Sequence, residues 1–281
     1  MPFTTVRNIQ MYYEIHGTGP RLLYINGTGG GLRAKPSIFD YPLAEHFEII
    51  AHDQRGLGQT ARPDVPYTIA DYAMDADGLL DAVGWDGCGV FGISFGGMVA
   101  QEFALRFPHR VQRLVMACTS NGGAGGSSYP LHEFGDLSPQ DAVARIISLI
   151  DTRCDATWQG AHPWQFQETV DRMMQEFTVG ADEPGRQVGA RRQLEARIWY
   201  DTYDRLPTLK MPVFICGGRH DAIPPAANLE AVHAQVPHAC LELFDGGHLF
   251  LNKIHGRSNV SRHSCTVRWM RARRRGLLYD N

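Results

Sequence analysis

Apolar and polar positions follow two rhythms along this chain. Short apolar runs, RLLYI (21–25), FEIIAH (47–52), CGVFGI (88–93), VQRLVMACTS (111–120), MPVFICGG (211–218) and ACLELFDGG (239–247), have the length of buried strands. MYYEIH (11–16) alternates residue by residue and predicts an early edge strand. Between these lie stretches with apolar residues three and four apart. They are DYAMDADGLLDAVG (71–84), which Asp71 is expected to cap, FGGMVAQEFALRF (95–107), ending before Pro108, and AANLEAVHAQV (226–236). Strands separated by helices of this length imply right-handed crossovers and a mostly parallel central sheet, an α/β fold.

From about Leu131 to Leu206 the pattern is helical only, in DAVARIISLI (141–150), WQFQETVDRMMQEF (164–177) and RRQLEARIWYDTYDRL (191–206). NGGAGGSS (121–128) leads in and reads as a flexible connection. The chain therefore divides into a core, residues 1–130 and 207–281, and a helical lid, residues 131–206, inserted between two strands above the sheet.

Composition narrows the function classes. The chain has 281 residues, 43% hydrophobic and 20% charged, with a net charge of −3. That balance gives no general reason to expect nucleic acid or an anionic membrane as partner. No apolar run is long enough to span a bilayer, and MPFTTVRNIQMYYEIHG lacks the layout of a signal peptide, so a cytoplasmic protein is expected. The six cysteines, Cys88, Cys118, Cys154, Cys216, Cys240 and Cys265, are spread without a CxxC pair and read as reduced thiols, with no metal site. Lys253 and seven arginines against Asp280 give residues 251–281 a charge of +7, so the rest of the chain carries −10. A solvated last helix or tail is the ordinary reading of that run; contact with an acidic partner or RNA is the sharper one.

Candidate chemistry sits where strands end. Gly92-Ile93-Ser94-Phe95-Gly96 is a G-x-S-x-G pattern between a strand and a helix. A turn this sharp forces the serine into strained backbone angles and needs glycine where segments nearly touch. It aims the hydroxyl at the carboxyl edge of the sheet and at a helix N-terminus. A serine hydroxyl needs a base, and the base needs an acid to hold its tautomer. Asp221 follows MPVFICGG and His248 follows ACLELFDGG, each in a loop on the same edge as Ser94. His220 adjoins the acid and is expected to point away. His52, His109, His132 and His233 have no glycine turn delivering them to that edge, and Asp245 reads as a local turn former. An oxyanion needs two N–H donors, assigned to Phe95, just after the nucleophile, and to Thr28 in the loop Asn26-Gly27-Thr28-Gly29-Gly30. No Lys-Ser/Thr follows that loop, which argues against a nucleotide site.

With NGTGG, HDQRGLGQT (52–60), GISFGG, GGRHDAIPP and DGGHLFL together, the sequence resembles the α/β-hydrolase fold superfamily, most of all its lidded carboxylesterases, enol-lactonases and C–C bond hydrolases. The resemblance implies the nucleophile, acid and base at Ser94, Asp221 and His248, the oxyanion donors at Thr28 and Phe95, and no cofactor or metal. It implies that the stretch from Asp53 to Gly58 braces the loops beneath the site. Asn26 stands where the family usually has histidine, and Thr60 where serine is common. A serine nucleophile argues against haloalkane dehalogenases and epoxide hydrolases, which have aspartate there. The expected activity is hydrolysis of a small carboxylic ester or lactone. The alternatives are C–C cleavage of a β-diketone or ring-cleavage product with the same triad, and a small-molecule binding protein without turnover. The expected partner is a small-molecule substrate; oligomeric state is left open. Lid residues Trp158, Trp164, Phe166, Met173, Met174, Phe177, Trp199 and Tyr200 either line an acyl pocket or pack the lid, packing being the commoner role. Arg191, Arg192 and Arg197 are candidates to hold a substrate carboxylate.

Overall fold

The computed structural model describes residues 2–251. The arginine-rich run and Cys265 lie outside the described residues. Eight strands form one sheet: β1 (Phe3–Val6), β2 (Ile9–His16), β3 (Arg21–Ile25), β4 (Glu48–His52), β5 (Cys88–Ile93), β6 (Val111–Ala117), β7 (Val213–Gly218) and β8 (Cys240–Phe244). Their spatial order is β1-β2-β4-β3-β5-β6-β7-β8. β1 and β2 pair antiparallel, as do β2 and β4, and every later pairing is parallel. The carboxyl ends of β3, β5, β7 and β8, where the candidate residues follow, thus share one edge of the sheet.

Among the described residues, seven α-helices accompany the sheet: α1 (Ile69–Ala82), α2 (Phe95–Arg106), α3 (Pro139–Ile150), α4 (Ala156–Ala161), α5 (Pro163–Thr178), α6 (Arg186–Glu195) and α7 (Ala226–Gln235). Strand residues alternate between two cores, as a pleated strand buried on both sides requires. Val90, Leu114, Met116, Val213 and Ile215 face the cluster that α1, α2 and α7 complete. Phe91, Val115, Ala117, Phe214 and Cys216 face the other, covered by Leu43, Phe47 and Phe250.

Several expectations are corrected in detail. MYYEIH is an edge strand only in part: Phe3–Val6, too short to stand out in the pattern, pairs with Met11 and Tyr12, while Tyr13–His16 pairs with β4. Thr68, not Asp71, is the N-cap of α1; Asp71 is the third helical residue, its carboxylate accepting from the Thr68 N–H in a capping box. RRQLEARIWYDTYDRL is not one helix. It ends as α6 at Glu195 and resumes only as a 3₁₀ turn from Tyr203 to Thr208. The 121–128 glycines are not a loose connection. Gly122 bridges to Asp201, Gly125 is buried, and Asn121 O accepts from Thr202 N–H at 2.8 Å.

Residues 131–206 sit between β6 and β7 as a helical insertion. α3 and α5 share a small core of Val143, Ile147 and Val170, flanked by Phe166, Met173 and Met174. Trp164 and Trp199 are exposed, Trp158 stacks on His162, and Tyr200 donates to the Met98 carbonyl at 3.0 Å. Most of these side chains therefore pack the insertion or face solvent, while Tyr200 also borders a cavity beside Met98. The Phe177 side chain lies outside the described residues.

The insertion is fastened to the core by backbone contact and by charge. A Cβ on Gly189 of α6 would lie 1.9 Å from the Gly56 carbonyl oxygen, so two glycines let α6 sit directly on the loop after β4. Glu183 bridges Arg33 and Arg62 of the core. The Arg33 hydrogen bond, with Arg62 adding to it, pulls the Glu183 carboxyl down to about 2. Its pKa in the folded chain is below the unfolded value of about 4.3. The clamp therefore contributes fully above about pH 4 and is lost as pH falls through about 2. Glu183→Gln at pH 7 is expected to raise the rate of tryptic cleavage at Arg186, Arg191 and Arg192 several-fold. The global unfolding midpoint should move by less than about 2 °C, because the pair is largely exposed. Mass mapping of the first cuts alongside a thermal melt checks both.

Candidate active site

The turn at Ser94 is built by close approach. A Cβ on Gly92 would meet the Gly96 carbonyl oxygen at 2.2 Å, and one on Gly96 would meet the carbonyl oxygens of Ile25 and Asn26 at 2.1 and 2.5 Å. Ser94 is held at φ 55°, ψ −121°, a region that L residues rarely adopt. Its N–H donates to the Ala117 carbonyl at 2.8 Å, and its own carbonyl accepts from Thr119 Oγ1 at 2.9 Å. Neighbouring β6 thus pins the strained residue from both sides.

Three loops then meet. His248 Nε2 lies 3.0 Å from Ser94 Oγ, and His248 Nδ1 lies 2.7 Å from Asp221 Oδ2. Asp221 Oδ1 accepts from the Ile223 N–H at 2.9 Å, which fixes the carboxylate. Both Asp221 and His248 are buried. Burial pushes the Asp221 carboxyl above the ordinary aspartate value, while the His248 hydrogen bond and then its charge pull the other way. The insertion supports the histidine: His248 N–H donates to the Ile150 carbonyl at 2.6 Å, at the end of α3.

The competing groups point elsewhere. His220 faces Asp245 at 3.2 Å, and Asp245 also pairs with Arg153 at 3.0 Å on the exposed side. His52 is buried and uncharged near neutrality, its pKa lowered to about 4 by desolvation. His233 Nε2 lies 3.1 Å from the Ala239 carbonyl.

The loop after β3 passes close to the serine. A Cβ on Gly27 would lie 3.3 Å from Ser94 Cβ and 3.9 Å from Ser94 Oγ, so the loop that carries Thr28 runs beside the serine. Asn26 Oδ1 accepts from the Gly27 N–H at 2.9 Å, and Gln54 Nε2 donates to the Asn26 carbonyl at 2.9 Å. Here an amide shapes the loop. Among the described residues, neither the Thr28 nor the Phe95 N–H donates to another group. Beneath lies Asp53, accepting from the N–H groups of Leu32 and Gln59, both at 2.7 Å. Thr60 Oγ1 donates to the Asp53 carbonyl at 2.6 Å and accepts from the Tyr12 N–H at 2.9 Å, so threonine serves as a two-way brace.

Sequence reasoning missed two residues. Gln193 of α6, buried, accepts from the Gly29 N–H at 2.8 Å and so holds the loop from the insertion side. Cys118 places its thiol 3.1 Å from the His248 carbonyl and beside Asp221. Burial first, then the Asp221 charge, raise that thiol well above its ordinary value. Cys118, Asp221 and His248 bring one ligand-type atom each within 4.8 Å of one another. A thiol held protonated beside an imidazole already bonded to its carboxylate is a poor donor set for a cation. Neither residue carried a sequence signal: each is one polar group in an ordinary helical or strand-end context.

A parallel sheet with a strained serine at a strand–helix turn, faced by a histidine–aspartate pair from later strand ends, defines the α/β-hydrolase architecture. A family model described as the alpha/beta hydrolase fold matches residues 20–147. The chain is 28% identical over 252 residues to RutD of Azorhizobium caulinodans, a candidate carbamate hydrolase, covering 89% of this chain and 92% of that one. It is 24% identical over 247 residues to 3-oxoadipate enol-lactonase 2 of Acinetobacter baylyi, covering 87% and 88%. The solved meta-cleavage product hydrolase of Pseudomonas fluorescens IP01 superposes with a TM-score of 0.75 at 20% identity, covering 95% and 96%. The chain has the α/β-hydrolase fold and is similar along most of its length to hydrolases.

Gly96→Ala places a methyl group against two backbone carbonyls that cannot swing aside. It is expected to destabilise the fold by about 3 kcal/mol or more. Gly160→Ala, in α4 with nothing within 4 Å of the new carbon, is expected to be neutral or stabilising by up to about 1 kcal/mol. Urea unfolding of the two variants side by side reads the difference.

Proposed function

We propose that this chain is a serine hydrolase that cleaves a small carboxylic ester or lactone through an acyl-enzyme on Ser94, with Asp221 and His248 completing the triad. The observation that carries the reading is the unbroken run of contacts from Asp221 through His248 to Ser94, at 2.7 and 3.0 Å. The similarity to an enol-lactonase along nearly the whole chain supports the choice of bond.

In the proposed cycle, Ser94 Oγ attacks the carbonyl carbon while His248 Nε2 takes its proton. The Asp221 carboxylate, held by the Ile223 N–H, orients the imidazole and stabilises its charged form. The carbonyl oxygen, now negative, is received by the Phe95 and Thr28 N–H groups. The partial positive charge at the start of α2 favours it further. His248 then gives its proton to the leaving oxygen, which departs as an alcohol, or as the free hydroxyl end of an opened lactone. A water enters, His248 removes its proton, and hydroxide attacks the acyl-enzyme. A second oxyanion forms and collapses, and Ser94 regains its proton from the imidazolium. Each oxyanion donor is worth on the order of a hundredfold in rate. The insertion acts as the lid: Gln193 and Ile150 hold the oxyanion loop and the histidine loop from above.

An aryl-ester and lactone panel tests the reading. Ser94→Ala is expected to remove steady-state turnover and fluorophosphonate labelling together, and Asp221→Asn to lower kcat about a thousandfold or more. Equal turnover by Ser94→Ala would end the nucleophile assignment. Cleavage of a vinylogous diketone without ester turnover would replace the bond assignment. A burst of product with almost no steady state would replace hydrolysis by binding.

A further inference from the structure

The arginines that sequence pattern set aside for a carboxylate now separate by the company they keep. Arg191 faces Glu195 at 3.6 Å, and Arg192 pairs with Asp64 and Glu195, both at 2.9 Å. Arg197, half-buried just beyond α6, has no acidic partner among the described residues. Its Nη2 donates to Ser128 Oγ and, at 3.1 Å, to the Tyr129 carbonyl. Its Nε and Nη1 donate to nothing else described. Burial draws the guanidinium down to about 10, with no neighbouring charge opposing that pull, so the group remains a cation at neutral pH. A partly desolvated cation without a counter-charge is costly, and chains usually pair such a group.

Arg197 lines a cavity of about 100 Å³ together with Met98, Ser120, Ser127, Ser128 and His132. Ser120 is fully buried, its Oγ accepting from Asn228 Nδ2 at 3.0 Å, whereas the half-buried Ser128 on the same wall accepts from Arg197 Nη2 and keeps its hydroxyl proton to donate. The same Asn228 nitrogen donates to the Ser127 carbonyl at 3.0 Å and fixes that wall. One water needs only about 10–15 Å³, so the space admits a carboxylate on a short carbon chain. Guanidinium with hydroxyl donors suits a planar anion of this kind. The cavity also adjoins the serine's own supports. Met98 lies one turn, about 6 Å of helix, beyond Ser94. Thr119, next to Ser120, is bonded to the Ser94 carbonyl.

We propose that this cavity is a carboxylate-binding site in which Arg197 supplies the charge and Ser128 a hydroxyl donor. The carboxylate comes either from the far end of the substrate or from a separate small organic acid. Only the first source rests on the ester-hydrolase reading.

Calorimetric titration of glutarate into the full chain tests the site without turnover. Binding is expected, weakened about tenfold or more in Arg197→Gln and less in Arg197→Lys, which keeps the charge but loses the planar fork. Circular dichroism establishes that both variants are folded. No glutarate binding by the unaltered chain, or equal binding by folded Arg197→Gln, overturns the proposal. Kinetics then separate the sources. If KM in Arg197→Gln rises tenfold for mono-4-nitrophenyl glutarate and less than twofold for 4-nitrophenyl pentanoate, the carboxylate is the substrate's own. If neither KM moves while glutarate binding still depends on Arg197, the ligand is a separate acid. Should neither ester be turned over, the hydrolase reading fails, and the titration still decides the site.

Discussion

The structure hangs on one backbone crossing. At Gly96 the start of α2 lies against the Ile25 and Asn26 carbonyls closely enough that a single methyl group has no room. That contact fixes how far the helix can stand from the end of β3. It therefore sets where the Phe95 N–H lies relative to the Thr28 N–H on the facing loop. It also forces Ser94 into its strained conformation, because the chain has only one residue in which to turn from β5 into α2. The strain costs of order 1–3 kcal/mol and persists because β6 grips Ser94 through Ala117 and Thr119. In the proposed reaction a nucleophile held this way would lose little further freedom.

Much of this was legible because glycine and strand ends leave local marks. Ser94, Asp221 and His248 each follow an apolar run and glycine, and the sheet brings those three ends to one edge whatever the details of packing. The competing histidine and aspartate were also separable, since His220 and Asp245 satisfy one another on the exposed side. What was illegible depended on distant partners. β1 is four residues long and acquires its identity from pairing with β2. Gln193 is one amide in an arginine-rich helix until α6 settles on Gly56 and carries it to Gly29, far away in sequence. Cys118 reads as a small apolar residue. Its nearness to Asp221 arises only because β6 and β7 are neighbours in the sheet. The stretch after Glu195 looked helical because its apolar spacing is helical. There the Tyr200 hydroxyl and Thr202 bond to the core at Met98 and Gln101 instead, and tertiary contacts override the local preference.

The insertion is accordingly more than a cover. It reaches the site at two places, through Gln193 to the loop after β3 and through Ile150 to the histidine loop. Both are hydrogen bonds to backbone, which fix loop position without supplying reactive groups. A change in how the insertion sits on Gly56 would therefore move the proposed oxyanion donors before it touched the Asp221–His248–Ser94 contacts.

The distribution of buried charge separates support from chemistry. Asp75 is almost fully enclosed, yet Arg55 grips it with two bonds at 2.6 and 2.7 Å and Arg7 adds a third. Glu102 is bound by both Arg106 and Arg205, which together pull its pKa below the ordinary value despite burial. Asp53 accepts hydrogen bonds from two backbone N–H groups. These acids are saturated by partners that do not titrate near neutrality, so they brace the fold at every pH in that range. Asp221 differs, because its side-chain bonding partner is an imidazole, the one side chain that ordinarily changes charge there. An acid so placed gains most when the imidazole becomes positive, which in the proposed cycle is the moment a proton has left Ser94. The same accounting isolates Arg197 among the insertion's half-buried cations. Arg55, Arg192 and Arg205 each end on a carboxylate, while Arg197 ends on a hydroxyl and a carbonyl. That difference in company is what the proposed carboxylate would answer.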